Sequence, residues 1–308
     1  MGRARAGYAP YDLATDPGEL QLTRSEAANQ YGSTVAWSRR TDPSPRATIF
    51  LHGAAGSWTT WTPLFAAASA AGTRIQNPVL FDLPGWGSGS LTPRGEADVI
   101  AAVCTLVREC AEQLGFTEWD LVGHSMGGFL ALELAAAAPQ STLSVATISA
   151  TGRSVLDATR HPLSHFWRLP TFIMLWRVMQ VLGRFRDGAA PVRLLRALHL
   201  LRGSVSPLFR HVSRVPATVI AAFSAEIRPV SFSAAVRQLR NYDVTASWSR
   251  VTCPVRACQG DRDAFARRED LDALARILPS TTCTVIDDCG HFPLIERPAE
   301  VLEALGFG

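Results

Sequence analysis

A chain of 308 residues has room for one large domain or for a domain carrying a sizeable insertion. Apolar residues make up 47% and charged residues 19%, which supplies a buried core and excludes an intrinsically disordered chain. The net charge is only +3, yet all 30 basic residues are arginine. Without lysine, a Walker-type phosphate loop and Schiff-base or pyridoxal chemistry are excluded.

The first 30 residues are polar and punctuated by Pro and Gly, so a loosely held arm is expected, with one strand near residues 19–23. Met1-Gly2-Arg3-Ala4-Arg5 is followed by no apolar run, and no signal peptide is expected. Residues 33–39 read as a short strand, and Thr41-Asp42-Pro43-Ser44-Pro45 as a turn.

From residue 47 a regular alternation begins. Strands are predicted over 47–51, 78–83, 119–122 and 143–149, with helices over 63–71, 95–114 and 126–138. Gly115 and Pro139 supply stops for the last two helices. The alternation breaks near residue 150 and resumes as strand 253–259, helix 267–278, strand 281–286 and helix 298–305. Short buried strands alternating with helices predict an α/β fold, a mostly parallel sheet with helices on both faces. The expected domains are a core of residues 1–150 and 246–308 and a mainly helical insertion of residues 151–245.

Six cysteines, Cys104, Cys110, Cys253, Cys258, Cys283 and Cys289, show no C-x-x-C spacing and no zinc-type histidine pair. Reduced thiols, a cytoplasmic location and no metal or other cofactor are expected. The most apolar window, 172–182, is interrupted by Arg177 and falls short of the roughly 20 residues needed to span a bilayer.

Gly123-His124-Ser125-Met126-Gly127-Gly128 follows a strand and opens a helix. That is the setting of a G-x-S-x-G nucleophile elbow, in which Gly123 and Gly127 relieve crowding around a tight turn. A serine needs a base to take its proton and a carboxylate to orient that base. His291 lies in the loop after the last predicted strand, and Asp261 and Asp263 in the loop after strand 253–259. Both loops fall at the C-terminal edge of the sheet, where open α/β folds bind ligands. By contrast, Gly85-Trp86-Gly87-Ser88-Gly89 lacks G-x-G-x-x-G spacing and reads as a flexible loop beside the site.

Leu51-His52-Gly53-Ala54-Ala55-Gly56-Ser57-Trp58, Asp82-Leu83-Pro84-Gly85-Trp86-Gly87, Gly123 to Gly128, Gln259-Gly260-Asp261-Arg262-Asp263 and Gly290-His291-Phe292-Pro293 together resemble the α/β-hydrolase superfamily with a cap. The resemblance runs from residue 47 to the C-terminus, and the insertion falls where that family carries its cap. It implies Ser125 as nucleophile, His291 as base and Asp263 as acid, with Asp261 the second choice for the acid. It also implies oxyanion-hole N–H groups from Ala54 and Met126, braced by His52 and Gly53. His124 is assigned no proton transfer. Ser125 stands where related dehalogenases and epoxide hydrolases carry an Asp nucleophile, which leaves acyl transfer to water. Esterase or lipase-like cleavage of a hydrophobic carboxylic ester is the leading expectation. A C–C bond hydrolase or cofactor-free lyase with the same triad is the alternative, and a ligand-binding protein without turnover lies further off.

The insertion is apolar and strongly basic. Residues 161–185 are apolar on several helical faces, so one side packs on the core and another, with Trp167, Phe172 and Trp176, is expected to line a substrate pocket. Residues 151–250 hold 15 arginines and four acidic residues, a surplus of 11 that leaves −8 for the rest of a +3 chain. Either these arginines are ordinary solvated residues pairing with the acidic core, or the insertion meets an anionic lipid surface. No nucleic-acid partner is expected.

Overall fold

Runs of β-branched and aromatic residues, cut by Pro, Gly and Asn, pair into one sheet. The computed structural model describes residues 7–92, 99–185 and 201–307. Its strands are β1 (Thr23–Asn29), β2 (Gly32–Ser38), β3 (Arg46–Leu51), β4 (Pro78–Asp82), β5 (Ser90–Leu91), β6 (Glu118–His124), β7 (Thr142–Ile148), β8 (Val255–Gly260) and β9 (Thr282–Ile286). Their spatial order is β1-β2-β4-β3-β6-β7-β8-β9, with β5 pairing β2. Every pair from β4 to β9 is parallel, whereas β2 is antiparallel to both β1 and β4.

The main helices are α1 (Thr62–Ala71), α2 (Val99–Gln113), α3 (Met126–Ala137), α4 (Arg153–Arg160), α5 (Pro170–Leu182), α6 (Ala217–Glu226), α7 (Pro229–Leu239), α8 (Val244–Trp248), α9 (Arg268–Ile277) and α10 (Pro298–Leu305). A parallel sheet must be covered on both faces, and the period-2 side-chain alternation shows how. Ile49, Leu51, Phe81, Leu121 and Val145 pack with α2, α3 and α9. Phe50, Leu80, Val122 and Ala146 point the other way, onto α1 and α10. The α2 helix stops as the sequence predicts, with Gly115 at φ +83° just beyond it. The first part of the predicted helix, residues 95–98, lies outside the described residues.

Two expectations are corrected at the N-terminus. The strand there is Thr23–Asn29, later than residues 19–23, because its register is set by pairing with β2. The preceding arm is fastened rather than loose. Tyr8, Ala9 and Leu13 are buried, Ala9 N–H donates to the Glu296 carbonyl at 2.8 Å, and Ala14 N–H donates to Thr62 Oγ1 at 2.9 Å.

Between β7 and β8 the chain builds α4 to α8. Val155, Leu169, Phe172, Ile173, Trp176 and Val236 form a core of their own. The return to the sheet is anchored on Glu133 of α3, which accepts from Ser247 Oγ at 2.6 Å, from Trp248 Nε1 at 2.7 Å and from Tyr242 Oη. Burial pushes the Glu133 carboxyl above its ordinary value, and these donors hold it back. Position 246, the expected edge of the insertion, falls inside α8, whose Val244 and Trp248 already pack in the sheet-side core.

Candidate active site

Strand β6 ends at His124 and α3 starts at Met126, so Ser125 alone makes the turn. Its backbone sits at φ 53°, ψ −118°, a conformation that side chains rarely adopt. The surroundings impose it. Ser125 N–H donates to the Ile148 carbonyl at 3.0 Å, and its own carbonyl accepts from Gly128 N–H and Thr151 N–H, each at 3.0 Å. Helix and strand approach so closely that a Cβ on Gly127 would lie 1.8 Å from the Leu51 carbonyl oxygen. A Cβ on Gly123 would lie 2.2 Å from the Gly127 carbonyl oxygen.

The loops after β8 and β9 bring the other groups to this turn. His291 Nε2 lies 3.0 Å from Ser125 Oγ. On its far side, His291 Nδ1 lies 2.9 and 3.0 Å from the two oxygens of Asp263. Geometry therefore sets Ser125, His291 and Asp263 in one hydrogen-bonded row. The Asp263 side chain is fully buried. Burial pushes its carboxyl up, but the His291 ring and the N–H groups of Ala266 and Phe265 pull it down further, to below the ordinary value. Phe265 packs on the His291 ring, with centroids 4.8 Å apart. Asp261, the second choice for the acid, instead accepts from Cys289 N–H at 3.0 Å and pairs with Arg262.

Three buried contacts hold this row. His52 Nδ1 donates to the Gly53 carbonyl at 2.7 Å, and its Nε2 accepts from Leu83 N–H at 3.0 Å. This ties the Gly53–Ala54 turn to the exit of β4 and fixes a neutral ring, in keeping with the downward push of burial on His52. His124 Nε2 donates to the His291 carbonyl at 2.8 Å. Burial lowers His124 to about 3, so it too is neutral. Gly53 passes close to the elbow, where an added Cβ would lie 2.9 Å from Ser125 Cβ.

Ala54 and Met126 border the same cavity as Ser125 and His291. Met126 is the first residue of α3, so its N–H has no partner within the helix. The cavity measures about 690 Å³ and is walled mainly by apolar side chains, among them Phe129, Phe172, Val178 and Phe223. Of the three side chains expected to line it, only Phe172 does so. Trp176 turns into the core of the insertion, and Trp167 is 88% exposed. Because α5 is apolar all round, periodicity did not distinguish its pocket face from its packing face. Among the described residues, no group of three or more His, Cys, Asp or Glu side chains is arranged to hold a metal ion.

The structure adds one residue that sequence reasoning missed. Glu296 is fully buried in the turn Pro293–Glu296. It accepts from Gly290 N–H at 2.9 Å and Phe292 N–H at 3.0 Å, the residues on either side of His291. It also accepts from Arg210 N–H at 2.9 Å and Tyr8 Oη at 2.6 Å. Burial pushes its carboxyl up, and these donors oppose that push. A buried-looking Glu five residues after a loop His was the only signal, and it carries no periodicity.

Sheet order, elbow and loop placement define an α/β-hydrolase fold. The chain belongs to the alpha/beta hydrolase family, whose model matches residues 48–304. It is similar to bifunctional epoxide hydrolase 2 of Mus musculus, 21% identical over 286 residues, which cover 84% of this chain and 50% of that one. It is also similar to the pimeloyl-(acyl-carrier protein) methyl ester esterase of Chromobacterium violaceum, 26% identical over 231 residues, which cover 73% of this chain and 81% of that one. The chain spans between about a third and a half of the length of the first curated relatives that it matches. Among solved structures, a bacterial membrane phospholipase A superposes with a TM-score of 0.68 at 21% identity, covering 94% of this chain and 87% of that one. At that identity the likeness is one of fold.

Proposed function

We propose that the protein is a serine hydrolase that cleaves a hydrophobic carboxylic ester through an acyl-enzyme. The observation that carries this reading is the Ser125–His291–Asp263 row opening into an apolar cavity of about 690 Å³. That volume lies within the range of small-molecule sites.

In this reading Ser125 Oγ attacks the ester carbonyl while His291 Nε2 takes its proton. Asp263, ionised at neutral pH, holds the ring and stabilises its charged form. The N–H groups of Ala54 and Met126 receive the developing oxyanion. His291 returns the proton to the departing alcohol, then activates a water that releases the acid and frees Ser125. Residues 151–245 act as a cap that shapes the acyl pocket through Phe172, Val178 and Phe223.

The identity of the attacking atom favours a carbonyl over an epoxide. A serine oxygen that opened an epoxide would be left in an alkyl ether, with no carbonyl for water to attack. A serine ester can be hydrolysed. The Chromobacterium violaceum relative, a methyl ester esterase, supports the same bond class.

Hydrolysis of p-nitrophenyl esters from acetate to palmitate, with wild type beside Ser125→Ala, tests the proposal. Turnover that peaks at an intermediate or long acyl chain and vanishes in Ser125→Ala is expected. No ester turnover, from protein that still labels at Ser125 with a fluorophosphonate, would move the assignment to C–C cleavage or lyase chemistry. Failure to label would point to a binding protein.

A further inference from the structure

The α5 helix presents an apolar row to solvent. Met174, Val178 and Val181, with Phe185 in the hydrogen-bonded turn that follows, are between 49% and 61% exposed. Their spacing of four, three and four residues puts them on one stripe. Arg177 and Arg184 fall together on one flank of it. Among the described residues neither pairs with a carboxylate; Arg177 donates only to Gln180 Oε1 and lies over the Trp176 ring.

The inner side of this helix is a wall of the cavity. Met174 and Val178 border that cavity and are about half-exposed, in line with Val181 and Phe185 beyond it. The apolar lining around Ser125 is therefore continuous with the apolar outer stripe. With 13 residues, α5 is about 20 Å long, short of the roughly 30 Å of a hydrocarbon core. Among the described residues no single helix is long and apolar enough to cross a membrane. An apolar stripe with arginines beside it on a short helix suits a position in the plane of an interface.

We propose that the outer face of α5 is a docking surface for an anionic lipid bilayer, from which a lipophilic ester enters the cavity past Met174 and Val178. Charge selects this occupant. Arg177 and Arg184 flank the stripe, and among the described residues neither pairs with a carboxylate, so a second copy of the same face would bring like charges together. An anionic leaflet meets the opposite sign, with each arginine near it contributing about fivefold to binding. The delivery of substrate rests on the esterase reading, but the binding does not.

The test is flotation with vesicles of phosphatidylcholine alone and of phosphatidylcholine mixed with phosphatidylglycerol, using Ser125→Ala so that binding is read apart from turnover. Binding to the anionic vesicles at low salt, and loss of it at high salt, is expected. Val181→Ser with Phe185→Ser, and separately Arg177→Gln with Arg184→Gln, each weaken binding; the arginine pair does so by about 30-fold. Neither residue pair borders the cavity, so in the catalytically competent background both variants keep wild-type turnover of p-nitrophenyl acetate, which shows that they are folded. Absence of binding to anionic vesicles, equal binding to neutral ones, or unchanged binding by both variants would overturn the proposal, as would a dimer in sedimentation that covers the stripe. Loss of ester turnover with binding intact would overturn the esterase reading alone.

Discussion

Tyr8 Oη donates to Glu296 Oε2 at 2.6 Å across 288 residues of chain, and so fastens the arm to the loop that carries His291. The same carboxyl group holds the N–H groups of Gly290 and Phe292, so the base residue is bracketed by a single buried acceptor.

Glu296→Ala should leave three N–H groups, those of Arg210, Gly290 and Phe292, buried without this acceptor. A stability loss of at least about 3 kcal/mol is expected, with a fall in kcat that exceeds any change in KM. Tyr8→Phe removes one of the four donors and should cost about 1 kcal/mol, with kcat nearly unchanged. Urea unfolding and steady-state kinetics on a soluble ester check both. Equal effects of the two variants would show that Glu296 has no special hold on the loop.

Asp263→Asn keeps the shape of the buried side chain but removes the charge facing His291 Nδ1. The rate on p-nitrophenyl esters should drop by about 10⁴, with the fold retained. Asp261→Asn alters only the turn around Cys289 N–H, and its rate should stay within about threefold of wild type. If the Asp261 variant is the one that loses activity, the acid has been misassigned.

Acid should destabilise the protein through His124. Its ring stays neutral in the folded state down to about pH 3, whereas in the unfolded chain it takes a proton below about pH 6.5. The unfolded state therefore binds more protons between these values, and stability falls as pH falls through that window. The contribution lost between pH 7 and pH 5 is about 2 kcal/mol. Urea unfolding at the two pH values should show that His124→Gln loses about that much less than wild type does. An identical pH dependence in the variant would mean that the buried ring is not the source.

Two tryptophans separate packing from exposure in the insertion. Trp176→Ala should cost about 3–5 kcal/mol because the indole fills the insertion's own core. Trp167→Ala, at a position 88% exposed, should stay within about 0.5 kcal/mol. Phe172→Ala should shift the preferred acyl length upward by enlarging the cavity. Thermal melts and a chain-length series distinguish the three.

Local features were legible in the sequence. The runs at residues 47–51 and 78–83 correspond to β3 and β4 within a residue, because an apolar stretch bounded by Pro or Gly defines a buried strand by itself. The elbow at Ser125 was visible because the turn forces glycine at fixed neighbours. The placement of His291 and Asp263 followed from their positions just after strands. What stayed hidden depends on distant partners. Nothing near Tyr8 announces Glu296, and nothing in α5 tells its cavity side, with Leu175 and Leu182, from its packing side, with Ile173 and Trp176. Between the two loop carboxylates, the resemblance to the superfamily favoured Asp263, and it is Asp263 that faces the imidazole.

The main chain of His291 is held from two sides. Its carbonyl accepts from His124 of the core, and its N–H donates to the carbonyl of Leu208 at 2.8 Å, within the insertion. A chimera that replaced residues 151–245 with the corresponding segment of a relative would therefore disturb the seat of the imidazole as well as the shape of the pocket. In this scaffold, selectivity and reactivity are not separable modules, and insertion swapping would have to rebuild the Leu208 contact before it could be read as a change of substrate alone.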